Sequence, residues 1–424
     1  MRYAHLADLH LGSWREPKMR DLSTKAFLTA IDDCLQRNVD FILFAGDFFN
    51  TSLPGVDTLK IVAKKLKELQ EKSLPLYCIA GSHDFSPSGK TMLDVLEEGG
   101  LLVNVCKGSV DPQTKKLHLS FTVDKKTGAK ITGILGRRGL LDKAYYENLD
   151  LESLENEPAY KIFLFHTTLT ELKPKHLEHL ESQPVSFLPK GFDYYAGGHV
   201  HHPTKIEQPG YGTLTYTGAL FPNSFAEVEK YGKGGYFIVD VPSEGKSEKE
   251  RASLESSQQK VAQQVAWIPL EVVKHLPLIL SCDGKSPDVI SFEMLNYFEN
   301  KEIKDALLTI RLTGKLGSGK ISDIKFRDVF QQLLERGAYS ILKNTSQLQA
   351  ESFEEIKIKA DNPETIEEEL IKEHLQQMKT FDRETELQLT KSLLGVLNTS
   401  KKEGETVMDF QGRVESEMDK ILHN

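Results

Sequence analysis

The chain of 424 residues reads as an α/β protein, and two observations predict it. Short apolar runs bounded by Gly or polar turns alternate with segments of helical periodicity, which is the pattern of layered strands and helices. Residues of the metal-binding type also follow five of those runs directly: RYAHLA leads to Asp8 and His10, FILFAG to Asp47, LYCIAG to Ser82-His83-Asp84, IFLF to His166, and YYAGG to His199 and His201. Ligands bind beyond the carboxyl ends of strands in open α/β sheets, so side chains scattered in sequence meet in one crevice.

The spacing predicts strands over Arg2–Ala7, Phe41–Ala45, Leu76–Ala80 and Leu101–Val105, alternating with helices over Met19–Arg37, Val56–Glu71 and Thr91–Glu98. Later strands, Leu117–Val123, Lys130–Leu135, Lys161–Phe165, Asp193–Ala196, Thr213–Thr217 and Gly235–Val241, are expected to finish a second sheet. Pro242–Lys260, rich in Ser, Glu, Lys and Gln, is a boundary or exposed linker. From about Asn362, Glu-rich starts and apolar residues at helical spacing (Ile366, Leu370, Leu375 and Met378, then Leu387 to Val396, then Met408 to Leu422) predict helices, broken over Gly395–Glu405.

Composition bounds the function. No run of 18 or more apolar residues appears and the N-terminus enters a strand, so a membrane span or secretory leader is not expected. Cys34, Cys78, Cys106 and Cys282 are far apart, without a Cys-x-x-Cys, and read as buried thiols of a reducing compartment. Net charge is −9, but residues 351–424 hold 18 acidic against 10 basic side chains, so the rest is close to neutral. Affinity for a polyanion from this chain alone is therefore expected to be modest and salt-sensitive.

Carboxylates mixed with imidazoles suit first-row divalent ions such as Mn, Fe or Zn. An Asp can bridge two ions roughly 3.5 to 4 Å apart, and such a pair clamps both oxygens of an in-line phosphoryl displacement. Gly314 to Lys320 nearly spells a P-loop, but Ile321 stands where a Ser or Thr should reach magnesium, so a Gly-rich basic turn is expected instead. His176 and His179 read as a solvated helix face, His202 as exposed or behind the ligands, and His5 as packed. Trp14, Arg15, Phe48, Phe49, Asn50, Arg137 and Arg138 are candidates for a substrate groove or for loop packing, and Tyr216 and Asn223 are equally open.

Asp8-Leu9-His10, Gly46-Asp47, Gly81-Ser82-His83-Asp84, His166 and Gly198-His199-Val200-His201 together resemble the five motifs of calcineurin-like metallophosphoesterases. HLADLHLG, GDFFN and the long C-terminal extension narrow the resemblance to the DNA double-strand-break repair nucleases that include bacterial SbcD and its archaeal relatives. The resemblance implies a two-sheet metallophosphoesterase sandwich flanked by helices over 1–242, a linker over 243–262, a small α+β capping domain over 263–350, and a helical extension over 351–424. The cap carries VAWIPLEVV, ALLTIRLTG and IKFRDVFQQLLERG.

The same resemblance implies site roles. Asp8, His10, Asp47 and His201 would hold one ion, with Asp47 bridging; His166, His199 and residue 82 would join Asp47 on the other. His83 would contact the scissile phosphate and act as general acid or stabilise charge on the leaving oxygen, and Asp84 would orient His83 or cap the next turn. The family's usual Asn is Ser82 here; its hydroxyl is shorter and a weaker ligand, and binds the second ion through water or not at all. The implied protein is a Mn-dependent 3′-to-5′ exonuclease and endonuclease on DNA, a homodimer, cytoplasmic and nucleoid-associated. Its C-terminal helices would either grip an SbcC-like ABC-type ATPase or dock on their own domain. Two alternatives stand beside it: a non-catalytic DNA-binding scaffold of the same complex, and a phosphoesterase for smaller substrates.

Overall fold

A computed structural model describes residues 1–86, 89–174, 177–178, 181–242, 263–350, 371, 382–402 and 405–422. The first part of the chain alternates strand and helix: β1 (Arg2–Leu6), α1 (Pro17–Gln36), β2 (Phe41–Ala45), α2 (Val56–Glu71), β3 (Leu76–Ile79), α3 (Met92–Glu98) and β4 (Val103–Asn104). Strands β5 (Gly108–Val110), β6 (Leu117–Leu119), β7 (Thr122–Val123) and β8 (Lys130–Ile134) follow, then short helices α4 (Lys143–Glu147) and α5 (Leu151–Glu155). Next come β9 (Lys161–His166), β10 (Tyr194–Gly198), β11 (Thr204–Glu207), β12 (Thr213–Tyr216), α6 (Phe225–Tyr231), β13 (Gly234–Asp240) and β14 (Gln264–Leu270).

These strands make two six-stranded sheets, ordered β14-β13-β1-β2-β3-β4 and β11-β12-β10-β9-β8-β7. Strands β1 to β4 run parallel, as do β8, β9, β10 and β12, so each sheet sends several carboxyl ends in one direction. Alternation along each strand builds the layers. Tyr3, Phe41, Leu43 and Ile79 meet Ile131, Ile162, Leu164 and Tyr194 in a core between the sheets, while Ala4, Ile42 and Phe44 turn outward under Phe27, Ile31 and Leu66 of the helices. The outer face of the second sheet is sealed by Phe163, Phe165, Tyr195 and Tyr216. Burying each such aromatic contributes about 1.5–3 kcal/mol, which makes this double-covered stack a rigid platform for the loops at its edge.

The structure corrects three strand assignments. Leu117–Val123 is not one strand: β6 pairs with β5 in a separate two-stranded sheet, and only β7 reaches the second sheet. The strand expected over Gly235–Val241 lies in the first sheet, antiparallel to β1 with Tyr3 opposite Val239. VAWIPL, expected in the cap, is β14, the edge of that first sheet, because β13 presents an open backbone edge that the returning chain completes. The linker expected over 243–262 lies outside the described residues, as do Ile366, Leu370, Leu375, Met378, His176 and His179.

Beyond β14, strands β15 (Lys274–Ser281), β16 (Ala306–Lys315) and β17 (Ser340–Gln349) form a parallel sheet joined by α7 (Pro287–Glu299) and α8 (Phe326–Glu335) around Ile290, Met294, Leu308, Ile310 and Leu333. The Gly-rich turn after β16 is no phosphate cradle: the Asp283 carboxylate accepts the Lys315 amide at 2.8 Å and occupies the space beside Gly314. Residues 352–424 form a second compact unit. Within it, α9 (Arg383–Leu397) and α10 (Val407–Leu422) pack on each other. Cys34, Cys78 and Cys282 are buried, and all four cysteines are free thiols. Among the described residues no helix is long and apolar enough to cross a membrane.

Candidate metal centre

The carboxyl ends of β1, β2, β3, β9 and β10 converge. Asp8 and His10 follow β1, Asp47 follows β2, Ser82 and His83 follow β3, His166 ends β9, and His199 and His201 follow β10. The loops after β1 and β2 are zipped together by four backbone bonds, Asp8 to Gly46, His10 to Asp47, Leu11 to Phe48 and Asn50 to Leu11. Asp8, His10, Asp47 and His199 all sit at positive φ (53°, 43°, 56° and 85°), a conformation that β-carbon-bearing residues seldom adopt. Strain at four such residues in one place is typical of a functional site whose surroundings over-determine it. Glycine makes the close approach possible: a β-carbon on Gly81 would lie 2.1 Å from the Asp47 amide nitrogen, and one on Gly198 2.1 Å from the Ala45 carbonyl oxygen.

Two groups of donor atoms result, Asp8–His10–His201 and Asp47–His166–His199, and Asp47 also falls within a group with His10 and His83. One carboxylate oxygen, Oδ2 of Asp47, is 3.1 Å from His166 Nε2 and 3.4 Å from His10 Nε2. The Nε2 atoms of His10 and His201 face each other at 3.1 Å. His166 Nδ1 donates to the Ala45 carbonyl at 2.7 Å, which directs Nε2 inward. That Nε2 is buried and, although close to Asp47, lies off the line of a hydrogen bond and has no hydrogen-bond partner among the described residues. Buried lone pairs of imidazole and carboxylate aimed at one another fit cations, and the two donor groups are candidate ligand sets for two divalent ions.

Charge is divided among the four imidazoles. Burial alone would lower His166, but Asp47 reverses this and pushes it up to about 10; burial likewise opposes His201, and Glu227 with Asp8 raises it to about 9. His199 falls to about 3 and His10 well below its ordinary value, both chiefly through burial. Burial raises Asp8 to about 6 against the pull of His201 and His166, whereas Asp47, although buried, is held well below the carboxylate range by His166. The His199 amide donates to both oxygens of Asp8, at 2.9 and 3.1 Å.

His83 stands beside the ligand groups, its ring edge-on to His10 with centroids 4.6 Å apart. Its Nδ1 lies 2.9 Å from the Asn50 carbonyl, an acceptor only, so Nδ1 carries the proton and Nε2 is left for another partner. Ser82 is buried, and its hydroxyl reaches Asp47 Oδ2 at 3.4 Å. Asp84 neither orients His83 nor caps the next turn: its carboxylate accepts the amides of Phe48, Phe49 and Gly81 at 2.9–3.0 Å, pinning the loop after β2 to the loop after β3.

Phe48 and Phe49 are buried in the helix-side core, not in a groove, and Tyr216 is buried with its hydroxyl bonded to Thr167 and Leu169. Arg137 stacks over Phe85 and contacts Tyr145, while Arg138 reaches toward His83 at 3.4 Å. His5 is fully buried against Tyr194, and His202 bonds the Tyr231 hydroxyl at 3.0 Å. Glu227, which the motif reading missed, accepts from His201 Nδ1 at 3.1 Å. Its only local signal was Ser224-Phe225-Ala226-Glu227, the S-x-x-E start of a helix, which announces capping and not a site.

The first 203 residues match the calcineurin-like phosphoesterase family model. The chain is also similar in sequence to proteins named Mre11 and SbcD. It is 27% identical over 271 residues to the DNA double-strand break repair protein Mre11 of Methanopyrus kandleri, covering 61% of this chain and 58% of the relative. The Mre11 of Methanococcus maripaludis is 28% identical over 57% of this chain and 63% of its own length. The SbcD component of the SbcCD nuclease of Staphylococcus epidermidis is 23% identical over 90% of this chain and 96% of its own length. The chain thus spans roughly half to two thirds of the archaeal relatives and nearly all of the bacterial one.

Proposed function

We propose that this chain is a binuclear, metal-dependent nuclease that hydrolyses phosphodiester bonds in DNA, with 3′-to-5′ exonuclease and endonuclease action in double-strand-break repair. One observation carries the reading: a single Asp47 oxygen stands between the imidazoles of the two donor groups, where one carboxylate serves two ions. Asp8, His10, Asp47 and His201 would hold the first ion, and Asp47, His166 and His199 the second, with Ser82 contributing through a water or not at all. Manganese suits this mixture of imidazole and carboxylate donors. When bound, such a pair lowers the pKa of a water and neutralises charge on the phosphoryl oxygens.

The chain's own residues supply orientation and the proton. With Nδ1 held by Asn50, His83 directs Nε2 at the scissile phosphate and, protonated there, hands a proton to the departing oxygen. Arg138, exposed beside it, offers positive charge to the phosphate backbone, and Arg137 on Phe85 lines the approach. The relatives' names, a DNA double-strand break repair protein and a subunit of the SbcCD nuclease, support a DNA substrate and a partner subunit, which we read as an SbcC-like ABC-type ATPase. Helices α9 and α10 expose Leu397, Met408 and Leu422, which supports a partner seated on them. Leu53, Val56, Ile61 and Val95, on or beside α2 and α3, are exposed in the same way and support a homodimer. In keeping with a DNA substrate, the protein would act in the cytoplasm, on the nucleoid.

The test uses labelled single- and double-stranded DNA with Mn²⁺, comparing the wild type, His83→Ala and Ser82→Asn. Cutting by the wild type and its loss in His83→Ala are expected. An inert wild type rescued by Ser82→Asn would make the chain a DNA-binding scaffold. Hydrolysis confined to a small phosphodiester would make it a phosphoesterase for smaller substrates.

A further inference from the structure

Behind His201 lies a chain of contacts that leaves the site altogether. Glu227 is fixed from three sides: Oε1 takes His201 Nδ1 at 3.1 Å, Oε2 takes the Asn223 amide at 2.8 Å, and its own amide donates to the Ser224 hydroxyl at 3.2 Å. The loop that leads into α6 is also tied to the residues after His10, because Trp14 Nε1 donates to the Pro222 carbonyl at 3.0 Å and Ser13 Oγ to Asn223 Oδ1 at 3.3 Å. Two residues beyond Glu227 on the same helix, Glu229 receives Arg311 of β16 through three contacts, at 2.7, 2.8 and 3.0 Å. The guanidinium of Arg311 also lies over the ring of Phe225, 5.2 Å from its centroid. Arg311 and Glu229 side chains are only 15% and 17% exposed, so this pair is shielded from solvent and held in the fork geometry that Arg forms best with a carboxylate.

We infer that α6 links the cap to the metal centre: Glu227 is the positioning residue for His201, and the seating of β16 through Arg311 and Glu229 sets where Glu227 stands. An imidazole that ligates metal is oriented by what its other ring nitrogen donates to, and a carboxylate there fixes tautomer and ring plane and raises ligand basicity. Glu227 supplies that acceptor to His201 from a helix of seven residues. So short a helix has little rigidity of its own, and it takes its position from the Ser224 cap, the Trp14 contact and the Arg311 fork. The inference rests on the reading of His201 as a ligand of the first ion.

Mn²⁺ binding to the full chain, followed by titration calorimetry and by the electron paramagnetic resonance of free Mn²⁺, tests it without reference to activity. The wild type is expected to take two ions and His201→Ala to lose one of them. Glu227→Ala should weaken the first ion about 10- to 100-fold and leave the second unchanged, and Glu227→Gln, which keeps one acceptor, should recover part of that loss. Arg311→Gln should weaken the same ion by a smaller factor. Glu227→Ala with Arg311→Gln should be no weaker than Glu227→Ala alone, since both act through one contact. Thermal melting of each variant identifies any that fail to fold; the inference then stands or falls on Glu227→Gln and Arg311→Gln, which keep a polar side chain at each position. Wild-type affinity for both ions in Glu227→Ala, with His201→Ala losing one, would overturn the inference and spare the ligand reading. Additive effects would overturn the link to the cap, and an unaltered His201→Ala would overturn both.

Discussion

Asp47 and His166 face each other across the two sheets at the site: Oδ2 of one is 3.1 Å from Nε2 of the other, both side chains are buried, and the two atoms are not aligned for a hydrogen bond with each other. A misaligned buried pair directs both atoms into shared space, where an ion that displaces the His166 proton would meet the Asp47 carboxylate, as a bridging ligand of two ions requires. Asp47→Asn should therefore cost more than one ion. Mn²⁺ titration is expected to show both sites weakened, and DNA hydrolysis should fall on the order of 10³-fold or more, since the ions supply several kcal/mol of charge stabilisation. Retention of two tight ions would refute the bridge.

A variant at His83 is expected to separate binding from chemistry. Its Nδ1 is committed to the Asn50 carbonyl. His83→Ala should keep two ions at near wild-type affinity while the cleavage rate falls about 10²- to 10⁴-fold, the range for a lost general acid. Measuring ion stoichiometry and single-turnover rate on one preparation checks it; loss of an ion would instead make His83 a ligand.

Ser82 touches Asp47 only at 3.4 Å, a weak contact for its single hydroxyl. Ser82→Ala is expected to change second-ion affinity less than threefold, a margin below about 0.7 kcal/mol. Ser82→Asn, which adds a carbonyl oxygen with more reach, should tighten it. A large loss in Ser82→Ala would show that the serine already ligates.

Metal binding should release protons. In the metal-free protein His166 is pushed up to about 10 and His201 to about 9, so both are protonated at pH 7, and an ion must displace those protons to reach the ring nitrogens. Affinity should therefore rise with pH from 7 toward 9 and 10, as the proton's competition fades. Calorimetry in buffers of different ionisation enthalpy is expected to report about two protons released at pH 7 when both ions bind, and no release would contradict the paired charges. His10 and His199, already neutral, add nothing to the count.

Asp84 carries stability and not chemistry. Three backbone amides end on its buried carboxylate, so Asp84→Ala leaves all three donors without it; the expected loss is about 3 kcal/mol or more in urea denaturation. Because the pinned loops carry Asp47 and Ser82, the folded fraction should also bind metal less tightly. A shift below about 1 kcal/mol would mean that water replaces the carboxylate.

By itself the sequence determined the register of the strands with the site residues. Phe41–Ala45 and Val56–Glu71 were legible residue for residue, and Asp8, His10, Asp47, Ser82, His83, His166, His199 and His201 do meet at one edge, because period-2 burial and punctuating glycines are local properties that a sequence displays directly. Pairing partners are not local. Nothing in GGYFIVD or QVAWIPL says which open edge it will complete, and both strands joined the first sheet. Phe48 and Phe49 read equally well as a groove or a core until α1 covered them. Side-chain direction at turns was also out of reach: Asp84 faces three amides and Glu227 faces His201 only because loops and helices far apart in sequence were brought to those places. The chain's order of residues chose the donors, and tertiary packing chose what holds them.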